Sequence, residues 1–252
     1  MKLRVIYAVA LRDIIRFYRE RTQLIGSLTR SVLWLFIMGL GLRGSVNVGG
    51  DISYTHYIFP GIIGMTVMFA AVQQAISIVW DREFGFLKEI LAAPVSRTAI
   101  AMGKALSGGF ISFMQGCLVA VLGLFLGIRF DFTGVLEMLL LMALAGVALA
   151  SLGIVVASRI TSFQGFGTIM NFFLMPMFFL SGAMYPVNKL PGWLYAIVRV
   201  NPLSYMVDGI RGAVLGDQWA NFGLLFDAIF LLGFFVLMIV WATFSFRIEG
   251  RR

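Results

Sequence analysis

Residue types able to do covalent chemistry are scarce in this chain. His56 is its one histidine and Cys117 its one cysteine, so neither a zinc centre nor a serine–histidine–aspartate arrangement can be assembled, and a disulfide within the chain is excluded. Glu137 and Asp227 lie near the ends of long apolar runs, and no carboxylate occupies the middle of one as a proton relay would. Those runs also lack the paired aspartates or histidine–glutamate motif of an intramembrane hydrolase. Gly103-Lys104-Ala105 is not a phosphate-binding loop: no serine or threonine follows the lysine, and Thr98 stands where the first glycine belongs. Neither a catalytic residue nor a metal site is expected. What remains is the chemistry of contact, concentrated in one island of charge: Asp81-Arg82-Glu83-Phe84-Gly85-Phe86-Leu87-Lys88-Glu89-Ile90-Leu91, closed by Pro94 and followed by Arg97 and Lys104. Phe84, Leu87 and Leu91 recur at helical spacing, while Asp81, Gly85, Lys88 and Glu89 take the other face. A short amphipathic helix with aromatic knobs is suited to docking on a partner.

The elements that position this island are membrane spans. The chain is 60% hydrophobic and 13% charged, against roughly 25% charged for a soluble domain. Nothing ionised lies between Ile52 and Trp80 or between Ala105 and Ile128. A bilayer-crossing helix needs roughly 20 apolar residues, and such runs predict six spans at about 24–42, 57–79, 101–127, 135–157, 164–184 and 224–245. The expected fold is all-α, a single polytopic membrane domain over residues 1–252 with no room for a soluble catalytic domain.

Residues 1–21 carry both signs of charge, unlike the lead of a cleavable signal peptide. They predict an interfacial helix in which Leu3, Ile6, Ala10, Ile14 and Phe17 form a stripe and Arg12, Arg16 and Arg19 face anionic headgroups. Arg30 falls inside the first span, since Ser31–Leu42 alone would make only about 18 Å of helix against a hydrocarbon core of roughly 30 Å. It either snorkels to the near surface or faces a pathway or a headgroup. Gly146, Ala150, Gly153 and Ala157 form a stripe of small residues in the fourth span, and Gly123 and Gly127 a shorter one in the third. Both patterns suit close helix packing, with no indication of whether the partner is this chain or another copy.

Residues 185–216 predict a hairpin of two short helices dipping into the outer leaflet. Pro186, Pro191 and Pro202 break the segment, and Trp193, Tyr195 and Tyr205 suit a membrane interface. Asn201-Pro202 reads as a helix start and Gly216 as its stop. Leu203, Val207, Ile210 and Val214 would face the bundle, with Asp208 and Arg211 paired at i,i+3 on the other side. Charge then orients the whole. Fourteen lysines and arginines fall on the side holding both termini and the island, and five on the opposite side. By the positive-inside rule, both termini and residues 81–97 are cytoplasmic. A basicity tied to membrane boundaries argues against nucleic acid as a partner.

Two stretches carry a resemblance. One runs from Arg82 through Leu91 and Ala93-Pro94-Val95-Ser96-Arg97 to Gly103-Lys104. The other, more specific, runs from Phe179-Leu180-Ser181-Gly182 through Pro186, Leu190-Pro191-Gly192-Trp193 and Asn201-Pro202-Leu203-Ser204-Tyr205 to Asp208-Gly209-Ile210-Arg211 and Leu215-Gly216. The chain resembles the membrane subunit of type-2 ABC exporters, the permease family that includes drug-resistance, nodulation-factor and polysaccharide exporters of prokaryotes. The likeness covers nearly the whole chain and implies a multi-pass protein of the prokaryotic inner membrane. It also implies a dimer of permeases, two copies or two homologues, gripping a dimer of cytoplasmic ATPases. ATP and magnesium would then sit on the partner and no cofactor on this chain.

Carried over, the resemblance makes Arg82, Glu83, Phe84, Phe86, Leu87, Lys88, Glu89 and Leu91 the residues of a coupling helix that touches the ATPase. The outer hairpin, through Asn201, Pro202, Tyr205, Asp208, Ile210 and Arg211, is expected to gate the exit. A lining rich in methionine and phenylalanine suits an amphipathic or lipid-like cargo. A lipid-linked polysaccharide or oligosaccharide is the alternative, and no residue reads the cargo directly. A stand-alone channel or secondary transporter would want mid-span carboxylates, broken helices or repeated halves, and none is evident.

Overall fold

The structure, a computed structural model, describes residues 2–42, 52–85 and 96–249. Phe86, Leu87, Lys88, Glu89 and Leu91 of the charged island lie outside those residues. Every regular element among the described residues is helical. In chain order they are α1 (Lys2–Arg19), α2 (Arg21–Trp34, continued by a π-helical turn Leu35–Leu40), α3 (Tyr54–Gln73), α4 (Ile76–Glu83), α5 (Arg97–Phe125), α6 (Phe132–Ala157), α7 (Phe163–Phe179), α8 (Gly192–Val200), α9 (Pro202–Leu215) and α10 (Leu224–Glu249).

Four stretches among them are long and apolar enough to cross a membrane. They are Tyr54–Glu83 (α3 with α4), α5, α6 and Leu224–Phe246 of α10, with 30, 29, 26 and 23 residues. Leu24–Gly39 and Phe163–Phe179, where the sequence places the first and fifth spans, are apolar but shorter. α7 stops early for a local reason. Pro176 lacks an N–H, and three residues after the helix ends Gly182 turns the chain at φ 73°.

α3 is the hub. It is apolar all round, and apart from His56 and Gln73 every residue in it is buried. α6 packs across it through small residues. A Cβ on Gly153 would lie 3.0 Å from Ala75 and from the Val72 carbonyl, while Gly146 and Ala150 meet Gly109, Ser112 and Gly108 of α5. The small-residue stripe of α6 is therefore filled within this chain. Gly123 packs likewise, against Phe59 and Phe130, but Gly127 has open space around it and a φ of 76°, so it serves the turn and not the packing.

α10 makes the solvent plain. Leu231, Ala242 and Phe246 are buried, yet Leu225, Ile229, Leu232, Val236, Leu237, Val240, Trp241 and Phe244 are all exposed. A helix apolar on every face with only one face covered is stable when lipid covers the rest.

The segment after α7 departs from the expected hairpin on the leaflet. α8 is mostly exposed, with only Val198 buried, but α9 is buried from Pro202 to Gly212 and packs against α3, α6 and α10. Its ends lie where Asn201-Pro202 and Gly216 put them: the Asn201 side chain accepts a hydrogen bond from Leu203 N at 3.0 Å, and Gly216 takes φ 100°. Its surroundings differ from expectation because glycines open the neighbouring helices to it. Gly64 of α3, for instance, faces Val207, and any Cβ there would lie 2.7 Å from that side chain.

Candidate functional site

The charged island begins inside the bundle. Asp81, at the end of α4, is 9% exposed, and Lys104, two turns into α5, is 6% exposed. Lys104 Nζ donates to Ser77 Oγ at 2.8 Å, and lies 3.1 Å from Asp81 Oδ2 and 3.3 Å from Asp13 Oδ2. Arg12 closes the circuit, with Nη2 3.0 Å from Asp81 Oδ2 and Nε 3.3 Å from Asp13 Oδ1. Two cations and two anions from α1, α4 and α5 thus form one neutral ring. Burial disfavours the charge on Arg12, but Asp81 and then Asp13 outweigh it and raise its pKa. Each member needs the others, since a charge taken from water alone is strongly disfavoured.

Packing brings α1 to this ring. Ile6, Val9, Ala10, Asp13 and Phe17 turn toward the bundle, and α1 runs along α5. Gly103 permits the approach: a Cβ there would sit 2.9 Å from Val9 and 3.1 Å from the Ile6 carbonyl. The predicted stripe is therefore split. Ile6, Ala10 and Phe17 face the bundle, whereas Leu3 is 80% exposed and joins an outward row with Tyr7, Leu11, Ile15 and Tyr18. Of the three arginines expected to face headgroups, Arg12 is half turned inward to the ring and Arg16 pairs with Glu20 at 3.0 Å. Arg19 is exposed.

The remaining described island residues divide the same way. Arg82 reaches back to the end of α6, where its guanidinium donates to the carbonyls of Ala157, Ser158 and Ile160. Those carbonyls lie at and just past the end of the helix, where Ala157 also accepts from Ile160 N, so Arg82 acts as a cap placed by a distant segment. Glu83 and Phe84 point out, with Phe84 60% exposed and its ring stacked on Trp80 at 5.3 Å. Trp80 also meets Phe163 of α7 and lies under Arg16 of α1. Only Glu83 and Phe84 of the predicted contact set are therefore both described and outward facing.

At the opposite end of the bundle, α9 gathers the second predicted group. Asn201 Nδ2 donates to the Met177 carbonyl, and the Tyr205 hydroxyl to the Arg199 carbonyl. Tyr205 is stacked on Phe230 at 3.8 Å and 2% exposed, a core residue and not an interfacial one. Ile210 is fully buried. Asp208 and Arg211 do not pair as their spacing suggested. Asp208 accepts from Asn221 N, Asn221 Nδ2 and Phe222 N, at 2.7–2.9 Å. Arg211 donates to the Gly182 carbonyl at 2.8 Å and lies 4.1 Å over the Tyr57 ring. The i,i+3 rule describes a helix surface; inside the bundle, partners from other elements win. Arg30 lies in α2, half-buried, 4.8 Å over the Phe69 ring, a cation–π contact with α3 that the sequence did not suggest.

Sequence reasoning missed the ring as a unit. Asp13 sat among apolar positions of the first stripe, and Lys104, like Arg30, was a cation inside a predicted span, which together were the available clue. Asn221 also went unread, and Asp227 was noted only for its place near the end of an apolar run.

The profile of the family described as "ABC-2 type transporter" matches residues 4–215, from α1 to the last residue of α9, and so takes in both the ring and the buried helix. Among curated proteins the chain is 30% identical over 223 residues to ycf38 of Pyropia yezoensis, which is named a transport permease (85% of this chain, 75% of that protein). It is 29% identical over 203 residues to nodulation protein J of Rhizobium meliloti (strain 1021), covering 80% of this chain and 77% of the relative. With YbhR of Escherichia coli (strain K12), named a probable multidrug ABC transporter permease, it shares 26% identity over 169 residues, or 66% of this chain and 46% of the relative. A helical bundle whose outer faces suit only lipid, matched from its first helix through α9, is a multi-pass membrane protein, and the chain belongs to the ABC-2 type transporter family of permeases.

Proposed function

We propose that this chain is the permease subunit of an ATP-binding cassette exporter, moving an amphipathic or lipid-like compound outward with energy from ATP and magnesium bound on a separate cytoplasmic ATPase. In this reading residues 1–252 form one permease domain. Leu24–Gly39 and Phe163–Phe179 complete six spans with the four longer ones, and both termini and residues 81–97 face the cytoplasm. A second permease, the same chain or a homologue, completes the transporter in the cell membrane. The chain carries no catalytic step of its own.

The observation that carries the reading is the ring Arg12–Asp13–Lys104–Asp81. It binds the first helix, the foot of the 81–97 loop and the start of α5 into one body. A partner pressing on that loop through Glu83, Phe84 and the residues beyond would move α1, α4 and α5 together instead of bending a loose connector. The outward row Leu3, Tyr7, Leu11, Ile15 and Tyr18 supports an interfacial position for α1. The multidrug name of one relative supports a drug-like, amphipathic cargo. A lipid-linked oligosaccharide remains the second cargo reading, since the exposed phenylalanines suit a lipid tail equally.

Co-expression with an ATPase subunit, co-purification and reconstitution in liposomes test this. ATPase activity should rise with an amphipathic cargo, and transport should need ATP. Cargo flux through the permease alone, down its gradient and indifferent to ATP, would instead establish a channel.

A further inference from the structure

α2 carries a cation that the fold leaves without an anion. Arg30 stands six residues past Leu24, where the apolar stretch of the helix begins, which is about 9 Å of helical rise. Its guanidinium covers the Phe69 ring. Among the described residues no carboxylate pairs with it, and it donates no hydrogen bond. The neighbouring elements have no acid to offer. α2, α3, α5 and α7 contain no aspartate or glutamate, and Asp13 and Asp81 are engaged in the ring with Arg12 and Lys104.

The surface around Arg30 is open. Gly26, Arg30 and Leu33 fall on one row of α2, continued by Ile37 in the π-helical turn. Gly26 is exposed, and a Cβ there would meet nothing within 4 Å, while Leu33 and Ile37 are more than half exposed. Helical side chains lean toward the N-terminus, here toward the bare surface at Gly26. On α3, Gln73 lies one turn beyond Phe69, exposed on a helix that is otherwise almost wholly buried, and its amide makes no hydrogen bond among the described residues. Hydrocarbon gives neither group a partner, and an unmatched charge or amide is costly there. A guanidinium forks onto a phosphate or carboxylate, and a primary amide can donate to the same oxygens.

We propose that Arg30 and Gln73 form a binding site for the head of an anionic amphiphile, a phosphate or carboxylate attached to an apolar chain. The anion takes the N–H groups of the two side chains, and the apolar chain lies along Leu33 and Ile37. The Phe69 ring beneath the guanidinium limits where the anion can sit. The site requires only that α2 and α3 stand in a membrane, so it holds for a channel as well as for an exporter.

The test uses the full chain in phosphatidylcholine nanodiscs with two photoreactive probes, dodecyl phosphate and dodecanol, each bearing a diazirine near the end of the alkyl chain. Dodecyl phosphate should label residues 24–40 saturably, and dodecanol only in proportion to its concentration. Losing a hydrogen-bonded charge in Arg30→Gln should weaken the saturable labelling about tenfold, and losing a neutral donor in Gln73→Leu about threefold. Arg30→Lys, which keeps the charge, should lose less than Arg30→Gln. The two probes on the wild type decide the matter alone if a variant folds poorly. Competition identifies the source of the anion. Labelling suppressed by phosphatidylglycerol in the nanodisc marks a resident lipid headgroup, and labelling suppressed by inorganic phosphate marks the free ion. Labelling that survives both marks a single-chain amphiphile. Equal labelling by the two probes, or an unchanged affinity for dodecyl phosphate in Arg30→Gln, would overturn the proposal and leave Arg30 solvated by water from the membrane surface.

Discussion

Lys104 shows how little the neighbouring residues in sequence reveal of a side chain's duty. Its three contacts come from residues 13, 77 and 81, two carboxylates that otherwise have only Arg12 as a counter-charge and a hydroxyl that donates to the Gln74 carbonyl. Replacing it with methionine keeps the apolar stem and removes the charge, leaving two carboxylates to share Arg12. Breaking a buried pair costs 3–5 kcal/mol; because Arg12 remains half exposed and can adjust, we expect about 3 kcal/mol, read as a lowered unfolding midpoint in detergent. Adding Asp13→Asn and Asp81→Asn should restore much of the loss, since the variant then buries no unmatched charge. If the triple variant is as weak as Lys104→Met alone, the ring contributes through shape and not through charge.

At the scale of elements, α9 separates what sequence can and cannot disclose. Its ends were legible because capping is local chemistry: Asn201 accepts from an N–H two residues on, proline fits the first turn, and glycine accepts a positive φ. Its burial was not legible, because the space it fills is made by Gly64 of α3 and by helices far away in the chain. For the same reason Asp208 and Arg211, well placed for each other along the helix, are claimed by Asn221 and by the Gly182 turn.

The consequences of mutation change accordingly. Asn201→Ala loses the cap, worth about 1 kcal/mol, and also the donor to Met177, so a modest fall in thermal stability is expected with insertion intact. Ile210→Glu places a charge at a fully buried position, and we expect failed folding and poor membrane yield, not a folded protein with slowed export. Recovery of that variant at wild-type yield and melting temperature would mean that α9 leaves the bundle readily.

For the whole molecule, the apolar runs and the charge split fourteen to five were visible at once, since membrane insertion depends on composition more than on contacts. Reporter fusions after Arg252 and within residues 81–97 should report cytoplasm, and fusions near Asn47 and Asn188 the outside. A reversed result at 81–97 would remove the proposed docking of an ATPase there. Phe84→Ala with Phe86→Ala should release the ATPase in co-purification while membrane insertion continues. Truncating an aromatic anchor at an interface commonly costs about 2 kcal/mol or more. Charge reversal at Glu89 should act in the same direction. Retained binding and normal transport in the double variant would place the docking surface elsewhere. The division of Phe84 outward from Asp81 and Arg82 inward could not be read from the sequence, because all three share one charged run and only the tertiary partners distinguish them.

The ring also sets an order of events during synthesis. Asp13 leaves the ribosome 104 − 13 = 91 residues before Lys104, a wait of roughly 5–20 s at ordinary elongation rates. Throughout it, the nascent first helix has neither the Lys104 ammonium nor the Gly103 surface to settle on. Its outward row from Leu3 to Tyr18 gives it somewhere to rest, flat on the membrane, until α5 arrives. Chains arrested before residue 97 should therefore keep α1 open to protease, and chains arrested well after residue 125 should shield it.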